Sequence, residues 1–307
     1  MIPRIAGIKK CITTANYFKS LGIDLIHSFH YGADYSEALA AKIAGIPWMY
    51  TKKNMNWGGS SKNGWKLRTI LATHIMVQNK DMLHRFFPNS NKTSLVPRGV
   101  DISEFKKIPS NLYLLKKYKI NKDEIIIICV ANLHPVKGVE VLIKAFNQLY
   151  GVNNNCRLFI VGDNDNVYGK NLIKISEQLP CSYKVEFTGK VFNVHDYYSI
   201  ADIFVLPTLD IGRIEGSPVA LLEGSSCGKK VLASDVPGIR DILVNFPECL
   251  IEPGNVDALF KKLENLVNDI KNGVNNNNNL SQYIRENFNI SVETKRHEKI
   301  YKKYFNH

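Results

Sequence analysis

The run Glu124-Ile125-Ile126-Ile127-Ile128-Cys129-Val130-Ala131-Asn132-Leu133 constrains the fold more than any other stretch of the chain. It is apolar at successive positions, so neither face of a strand built from it can meet water. That is the pattern of a strand buried on both sides in a parallel sheet. A loop, His134-Pro135-Val136-Lys137-Gly138, follows it, and then a helical segment over 139–149. The same order recurs. Arg157 to Gly162 reads as a strand with Asp163-Asn164-Asp165-Asn166 as its polar loop. Val185 to Gly189 is a strand followed by a helix that ends over Tyr197 to Ala201, and Asp202 to Thr208 is the next apolar run. Strand, loop and helix in alternation specify an α/β protein whose parallel sheet is covered by helices.

The first third has the same rhythm. Residues 4–20 read as helix, and Ile23 to His30 as a buried strand running into a loop. Tyr35 to Ala44 is an Ala-rich helix stopped by Gly45, and Ile46 to Thr51 is a strand. Residues 64–72 form a basic amphipathic helix, 75–78 a short strand and 79–87 a helix. Near the other end, 256–270, 281–287 and 292–305 read as helices, with an Asn-rich loop from Gly273 to Asn279. Ligands of doubly wound sheets sit at the carboxyl ends of strands. In the first half that points to the loops His30 to Tyr35 and Lys52 to Gly59, with His30, Lys53 and Asn54 as the candidates. For His27 and His30 a structural role is a commoner reading than a catalytic one.

Composition narrows the function. At 307 residues, 45% hydrophobic and 22% charged, the chain is long enough for two domains of ordinary globular make-up. No apolar run approaches the ~20 residues that span a bilayer, and Met1-Ile2-Pro3-Arg4 does not open a signal peptide. Six cysteines (Cys11, Cys129, Cys156, Cys181, Cys227, Cys249) are scattered without ligand spacing, as expected of reduced thiols in a cytoplasmic protein. The net charge of +12 is uneven: residues 1–107 hold sixteen Lys and Arg against six Asp and Glu. A basic half suits an anionic membrane surface, an acidic substrate or nucleic acid, and equally a merely solvated lysine-rich surface. The aromatic and basic motifs of nucleic-acid modules are absent. No G-x-G-x-x-G occurs, which argues against a nicotinamide or flavin oxidoreductase.

The chemistry concentrates in Glu215-Gly216-Ser217-Pro218-Val219-Ala220-Leu221-Leu222-Glu223. Ser217 suits an N-cap and Pro218 the first helical position. Gly216 permits close approach to the backbone. A helix starting there offers unpaired N–H groups and the positive end of its dipole to an anion, best of all a phosphate. Glu223 lies ~7.5 Å up the axis from Pro218 and, like Glu215, is a poor partner for phosphate. Two carboxylates beside an anion site fit the two diols of a ligand that carries a sugar on each side of a pyrophosphate. The plainer alternative has Glu215 complementing the dipole and Glu223 solvated.

Glu-x7-Glu with Gly and Pro after the first Glu resembles the retaining family 4 glycosyltransferases of the GT-B fold. The continuation Gly228-Lys229-Lys230-Val231-Leu232-Ala233-Ser234-Asp235-Val236-Pro237-Gly238-Ile239 is similar to the same family. The resemblance implies two Rossmann-like domains, over 1–107 and 108–280, with helices 281–307 packing back on the first. It implies a retaining hexosyltransferase that moves a sugar from a nucleotide diphosphate sugar to a hydroxyl acceptor. The acceptor would belong to glycan, lipopolysaccharide or exopolysaccharide biosynthesis, and the enzyme would need no metal or other cofactor. Lys137 and Gly138 match the family's pyrophosphate loop, whereas Asn132 stands where the family has an arginine. Gly189 to Val191, including Val191 itself, would meet the nucleobase. Glu223 would hold the ribose and Glu215 the transferred sugar, while Lys137 and the helix start at Gly216, Ser217, Pro218 and Val219 stabilise the leaving diphosphate. Lys137 and Glu215 are then the catalytic candidates, and His30, Lys53 and Asn54 lie on the acceptor side. The expected setting is cytoplasmic, peripheral at the inner face of a membrane, with no nucleic acid partner. The family's first strand and glycine loop are missing, so the N-terminal domain is expected to be incomplete. A non-catalytic nucleotide-sugar-binding module, or an inactive truncated relative, is the alternative.

Overall fold

The computed structural model describes residues 7–29, 35–56, 62–212, 216–274 and 279–305. The chain divides into two compact units: residues 1–97, 215–217 and 293–307 form one, and 98–214 with 218–292 the other.

In chain order, the first unit contains α1 (Ile8–Ser20), β1 (Ile26–Ser28), α2 (Ser36–Ala44), β2 (Trp48–Lys52), α3 (Lys62–Leu71), β3 (His74–Val77), α4 (Lys80–Phe86) and β4 (Thr93–Leu95). The strands pair in parallel in the order β1-β2-β3-β4. β2 and β3 are buried along their whole length, as expected of the inner strands of a helix-covered sheet. Asn79 caps α4, its side-chain oxygen accepting from the Met82 N–H at 2.7 Å.

The second unit contains α5 (Leu112–Lys117), β5 (Ile125–Val130), a 3-10 turn over Pro135–Lys137, α6 (Val139–Val152), β6 (Cys156–Val161), α7 (Val167–Glu177), β7 (Val185–Gly189), α8 (Val194–Ile200) and β8 (Ile203–Leu206). It continues with α9 (Val219–Ser226), β9 (Lys230–Ser234), α10 (Ile239–Ile242), β10 (Leu250–Ile251), α11 (Val256–Lys271) and α12 (Leu280–Asn287). Six parallel strands lie in the order β10-β9-β8-β5-β6-β7. The chain therefore builds outward from β5 through β6 and β7, then returns to the other side of β5 with β8. The strand order reverses between β5 and β8. Ile127, Cys129, Phe146, Leu158, Ile160 and Val205 are fully buried in the core around β5 and β6.

The units part between Pro97 and Arg98, before the expected boundary at residue 107. The physical reason lies in backbone pairing. Val100 bridges Asn289, and the Phe105 carbonyl accepts from the Ser226 hydroxyl at 2.5 Å, so residues 98–107 pack with the second unit. α12 stays there too, since the Ser281 hydroxyl donates to the Ser226 carbonyl at 3.2 Å. All six cysteines are buried thiols. No helix among the described residues is long and apolar enough to cross a membrane. Residues 275–278 of the Asn-rich loop lie outside the described residues.

The last helix, α13 (Ile290–Phe305), counts from Glu293 onward with the first unit. Ile300, Tyr301 and Tyr304 pack there against Met49, Met76 and Val96. Two histidines, the half-buried His27 and the buried His74, hold the tyrosines. The ring nitrogens of His27 face the hydroxyls of Tyr301 at 2.5 Å and Thr51 at 2.9 Å. Those of His74 face Tyr304 at 3.1 Å and Ser94 at 2.9 Å. His27 is thus structural. Burial lowers both imidazoles to about 4. His297, His74 and Lys53 add to the effect on His27, and Lys303 to that on His74.

A group whose pKa is depressed on folding binds its proton more readily when unfolded, so the unfolded chain gains protons first as pH falls. The stability from these histidines is complete above the ordinary value of 6.5 and lost as pH falls from there to about 4. The loss for each is on the order of 2 kcal/mol. Thermal unfolding between about pH 7 and 4 should show the first unit weakening, and the double variant His27→Gln, His74→Gln should flatten that dependence. An unchanged slope in the double variant would assign the acid sensitivity to other groups.

Candidate functional site

The strand order reverses between β5 and β8, and open α/β sheets bind ligands at the carboxyl ends of the strands at such a switch point. Two loops meet there. The Leu209 N–H donates to the Val136 carbonyl at 2.8 Å, which ties the loop after β8 to the loop after β5. Gly138 has a φ of 64°, and a Cβ placed on it would lie 2.0 Å from the Pro207 carbonyl oxygen. Only glycine satisfies both the left-handed backbone and that approach. Lys137, the last residue of the 3-10 turn, is buried at 8% exposure. The exposed His134 turns Nδ1 onto its own loop, where it accepts from the Val136 N–H at 3.4 Å. Asn132 is exposed at the start of the same loop.

The neighbouring strand ends are drawn into the same edge. The Gly162 N–H donates to the Gly189 carbonyl at 3.2 Å, joining the ends of β6 and β7. A Cβ on Gly162 would lie 1.9 Å from the Ala131 carbonyl oxygen. Gly189 turns the chain with a φ of 70°, and Val191 beyond it is half-buried. The side chains and turns expected at this end of the sheet, Asn132, Lys137, Gly138, Gly189 and Val191, thus lie on two strand-end loops of one unit, those after β5 and β7.

α9 differs from the sequence expectation at its start. Pro218, with φ −73° and ψ 115°, is the N-cap itself, and the helix begins at Val219 with no side-chain cap. Ser217 is one residue too early to cap it. Its Oγ is buried and has no hydrogen-bond partner among the described residues. Glu223 stands on the next turn, partly buried, with Oε2 3.1 Å from the Tyr198 hydroxyl. Burial raises its pKa, the Tyr198 hydrogen bond opposes that, and Glu104 nearby reinforces it. Burial and the Glu223 charge together push the Tyr198 phenol well above its ordinary value.

Gly216 and Ser217 count with the first unit. The Gly216 N–H donates to the Lys53 carbonyl and its own carbonyl accepts from Asn79 Nδ2, each at 2.8 Å. A Cβ on Gly216 would lie 2.6 Å from the Met82 methyl and 2.9 Å from the Lys53 carbonyl oxygen. The close approach expected at Gly216 is therefore made by protein. Lys53 Nζ lies 5.5 Å from the centre of the Phe29 ring, and Asn54 is buried. His30 and Glu215 lie outside the described residues. Asn79, Tyr198 and Lys52 were not singled out by sequence. Lys52 donates to the Asn56 carbonyl and sits 4.0 Å above the Phe86 ring. Burial, with Arg68 and Arg85 close by, lowers its ammonium to about 7. Among the described residues no three His, Cys, Asp or Glu side chains gather as a metal site.

Comparison with known proteins agrees with this architecture. An uncharacterized glycosyltransferase of Methanocaldococcus jannaschii is 27% identical over 244 residues, 74% of this chain and 57% of that protein. The UDP-Gal:alpha-D-GlcNAc-diphosphoundecaprenol alpha-1,3-galactosyltransferase of Escherichia coli is 24% identical over 289 residues, 87% of this chain and 72% of that protein. Among solved structures, Anabaena HepE in complex with UDP and glucose superposes with a TM-score of 0.81 at 18% identity. That match covers 97% of this chain and 84% of that one. The chain spans about half the length of most curated relatives it matches. An α/β chain with two parallel-sheet units of this kind has the GT-B fold. The profile of the family described as Glycosyl transferases group 1 matches residues 114–287, from α5 through β5 and the switch-point loops to the end of α12. That is more than half of the chain, and the chain belongs to the glycosyl transferases group 1 family.

Proposed function

We propose that the protein transfers a sugar from a nucleotide diphosphate sugar to a hydroxyl acceptor, with retention of anomeric configuration. The observation that carries this reading is the pinned pair of loops at the β5/β8 switch point, with Lys137 enclosed in one and the other leading to α9. A diphosphate at the uncapped start of α9 would receive backbone N–H groups and the helix dipole. Lys137 would supply the cation, with the greatest effect as charge grows on the departing diphosphate. Asn132 would donate a neutral hydrogen bond, and the buried Ser217 hydroxyl is a further candidate donor. Gly189 and Val191 would frame the base with main-chain groups. Glu223 would accept from the ribose diol, and Glu215 from the transferred sugar. No metal or cofactor is required by this scheme, because cation and dipole balance the diphosphate charge.

The acceptor side belongs to the first unit, with His30, Lys53 and Asn54 as candidates. The Escherichia coli relative acts on a diphosphoundecaprenol-linked sugar, which supports a glycan or lipid-linked acceptor here. Incubation with a panel of UDP- and GDP-sugars and such acceptors tests the whole reading. Acceptor-dependent release of UDP or GDP, with a product of retained configuration by NMR, is expected. An inverted product would end the retaining reading. Donor hydrolysis absent and no nucleotide bound in calorimetry would end the donor reading. Within that assay Glu215→Gln should depress transfer but spare affinity for the bare diphosphate, because the group it would hold is absent from that ligand.

The same reading extends to peripheral attachment at the inner face of a membrane. α1 and α3 both pack on α2. They expose Ile8, Ile12, Leu67 and Ile70 beside Lys9, Lys10, Lys62 and Lys66. Each lysine near an anionic surface contributes ~1 kcal/mol, weakened by salt. Sedimentation with anionic vesicles at low salt should carry the protein down, and high salt should release it. Equal binding to neutral vesicles would remove the electrostatic basis of this attachment.

A further inference from the structure

Tyr198 is fully buried in the second unit. Phe105 meets its ring edge-on at 6.2 Å, and Phe204 packs on it at 6.0 Å. Those contacts fix the ring and aim its hydroxyl at α9. There the hydroxyl has two acceptors within reach, the Ala220 carbonyl at 3.2 Å and Glu223 Oε2 at 3.1 Å. A phenol has one proton to donate. While Glu223 is ionised, donation to Oε2 is the arrangement that avoids setting an oxygen lone pair against a negative oxygen. Once Glu223 is protonated, its own O–H can donate to the Tyr198 oxygen, and the phenol proton turns to the Ala220 carbonyl. Both arrangements are satisfied, but the bond to the ionised carboxylate is charge-assisted and the stronger, so the phenol favours the ionised form.

We infer that Tyr198 is a positioning residue for the ribose of the donor: it keeps the Glu223 carboxylate ionised and in one rotamer, so that its remaining lone pairs accept from the 2′- and 3′-hydroxyls. This rests on the reading of Glu223 under the proposed function. Tyr198 acts only through Glu223, since a fully buried phenol already committed to α9 offers nothing to a ligand. A half-buried carboxylate is held charged by the hydrogen bonds it accepts. A carboxylate that drifts or takes up a proton no longer accepts two diol protons.

Calorimetric titration of the full chain tests this. UDP and GDP are titrated first, and the tighter one is carried forward with its 2′,3′-dideoxy analogue. Wild type, Tyr198→Phe and Glu223→Gln are compared between about pH 5 and 8. Tyr198→Phe keeps the ring packing and removes only the hydroxyl. It should weaken the ribonucleotide about tenfold, leave the dideoxy analogue nearly unaffected, and move the acidic limb of the affinity profile to higher pH. Wild-type pH dependence and affinity in Tyr198→Phe, beside a clear loss in Glu223→Gln, would overturn the role of Tyr198 alone. Equal losses for both ligands would make Tyr198 a packing residue only. If wild type binds the dideoxy analogue as tightly as the ribonucleotide, or binds neither UDP nor GDP, Glu223 does not hold a ribose, and the donor assignment falls with this one.

Discussion

Replacing Lys137 with alanine is expected to lower kcat by about 10²–10³-fold, the loss typical of removing one preorganised group that stabilises charge in a transition state. The geometry favours a large effect. Lys137 is 8% exposed, and its backbone is fixed by the 3-10 turn and by the left-handed Gly138. A cation so placed needs little reorganisation when the glycosidic bond breaks and negative charge collects on the diphosphate. Affinity for UDP or GDP should fall as well, but by less, because the bound diphosphate already carries much of its charge before transfer. Steady-state kinetics with the donor found in the release assay separates the two effects. A raised KM with unchanged kcat would make Lys137 a ground-state binder. Lys137→Met, which keeps the length and removes the charge, should match the alanine variant; near wild-type turnover in Lys137→Met would assign the loss to packing.

The parts of this site that sequence made visible are local in the chain. β5 is apolar at every position, the loop after it ends in Lys137 and Gly138, and both features follow from residues within about a dozen of each other. The same holds for the alternation that placed β6, β7 and β8. What escaped depends on distant pairing. Ser217 reads locally as an N-cap, yet Gly216 is tied to Lys53 and, 137 residues away along the chain, to Asn79. The cap is Pro218 instead. Tyr198 lies 25 residues before Glu223, on a different helix, and nothing within α8 announces its partner. The boundary near residue 107 failed for the same reason, since Val100 and Phe105 are held by Asn289 and Ser226. α10 and β10 are four and two residues long, too short for any periodicity to show.

Alanine at Gly138 and alanine at Gly151 should act in opposite directions, although both glycines bound or lie in α6. At Gly138 the new Cβ would stand 2.0 Å from the Pro207 carbonyl oxygen and 3.2 Å from the Leu209 side chain, on a backbone with φ 64°. The atom in the way is main chain at the end of β8, so the loops after β5 and β8 must separate. Left-handed strain adds about 1 kcal/mol, and the forced separation brings the total to roughly 3–5 kcal/mol, the range reserved for mutations that break a specific backbone arrangement. The thermal midpoint of the second unit should fall by roughly 10 °C. Gly151 lies inside α6 with nothing within 4 Å of a Cβ placed on it. Alanine there restricts the unfolded chain and favours helix, so stability should rise by about 0.5–1 kcal/mol. Nucleotide affinity should drop only in Gly138→Ala, because only that substitution moves the loop that carries Lys137. A Gly138→Ala protein that melts with wild type and binds UDP or GDP unchanged would show that the two loops are not pinned at Gly138, and the site proposed at the β5/β8 switch point would lose its foundation.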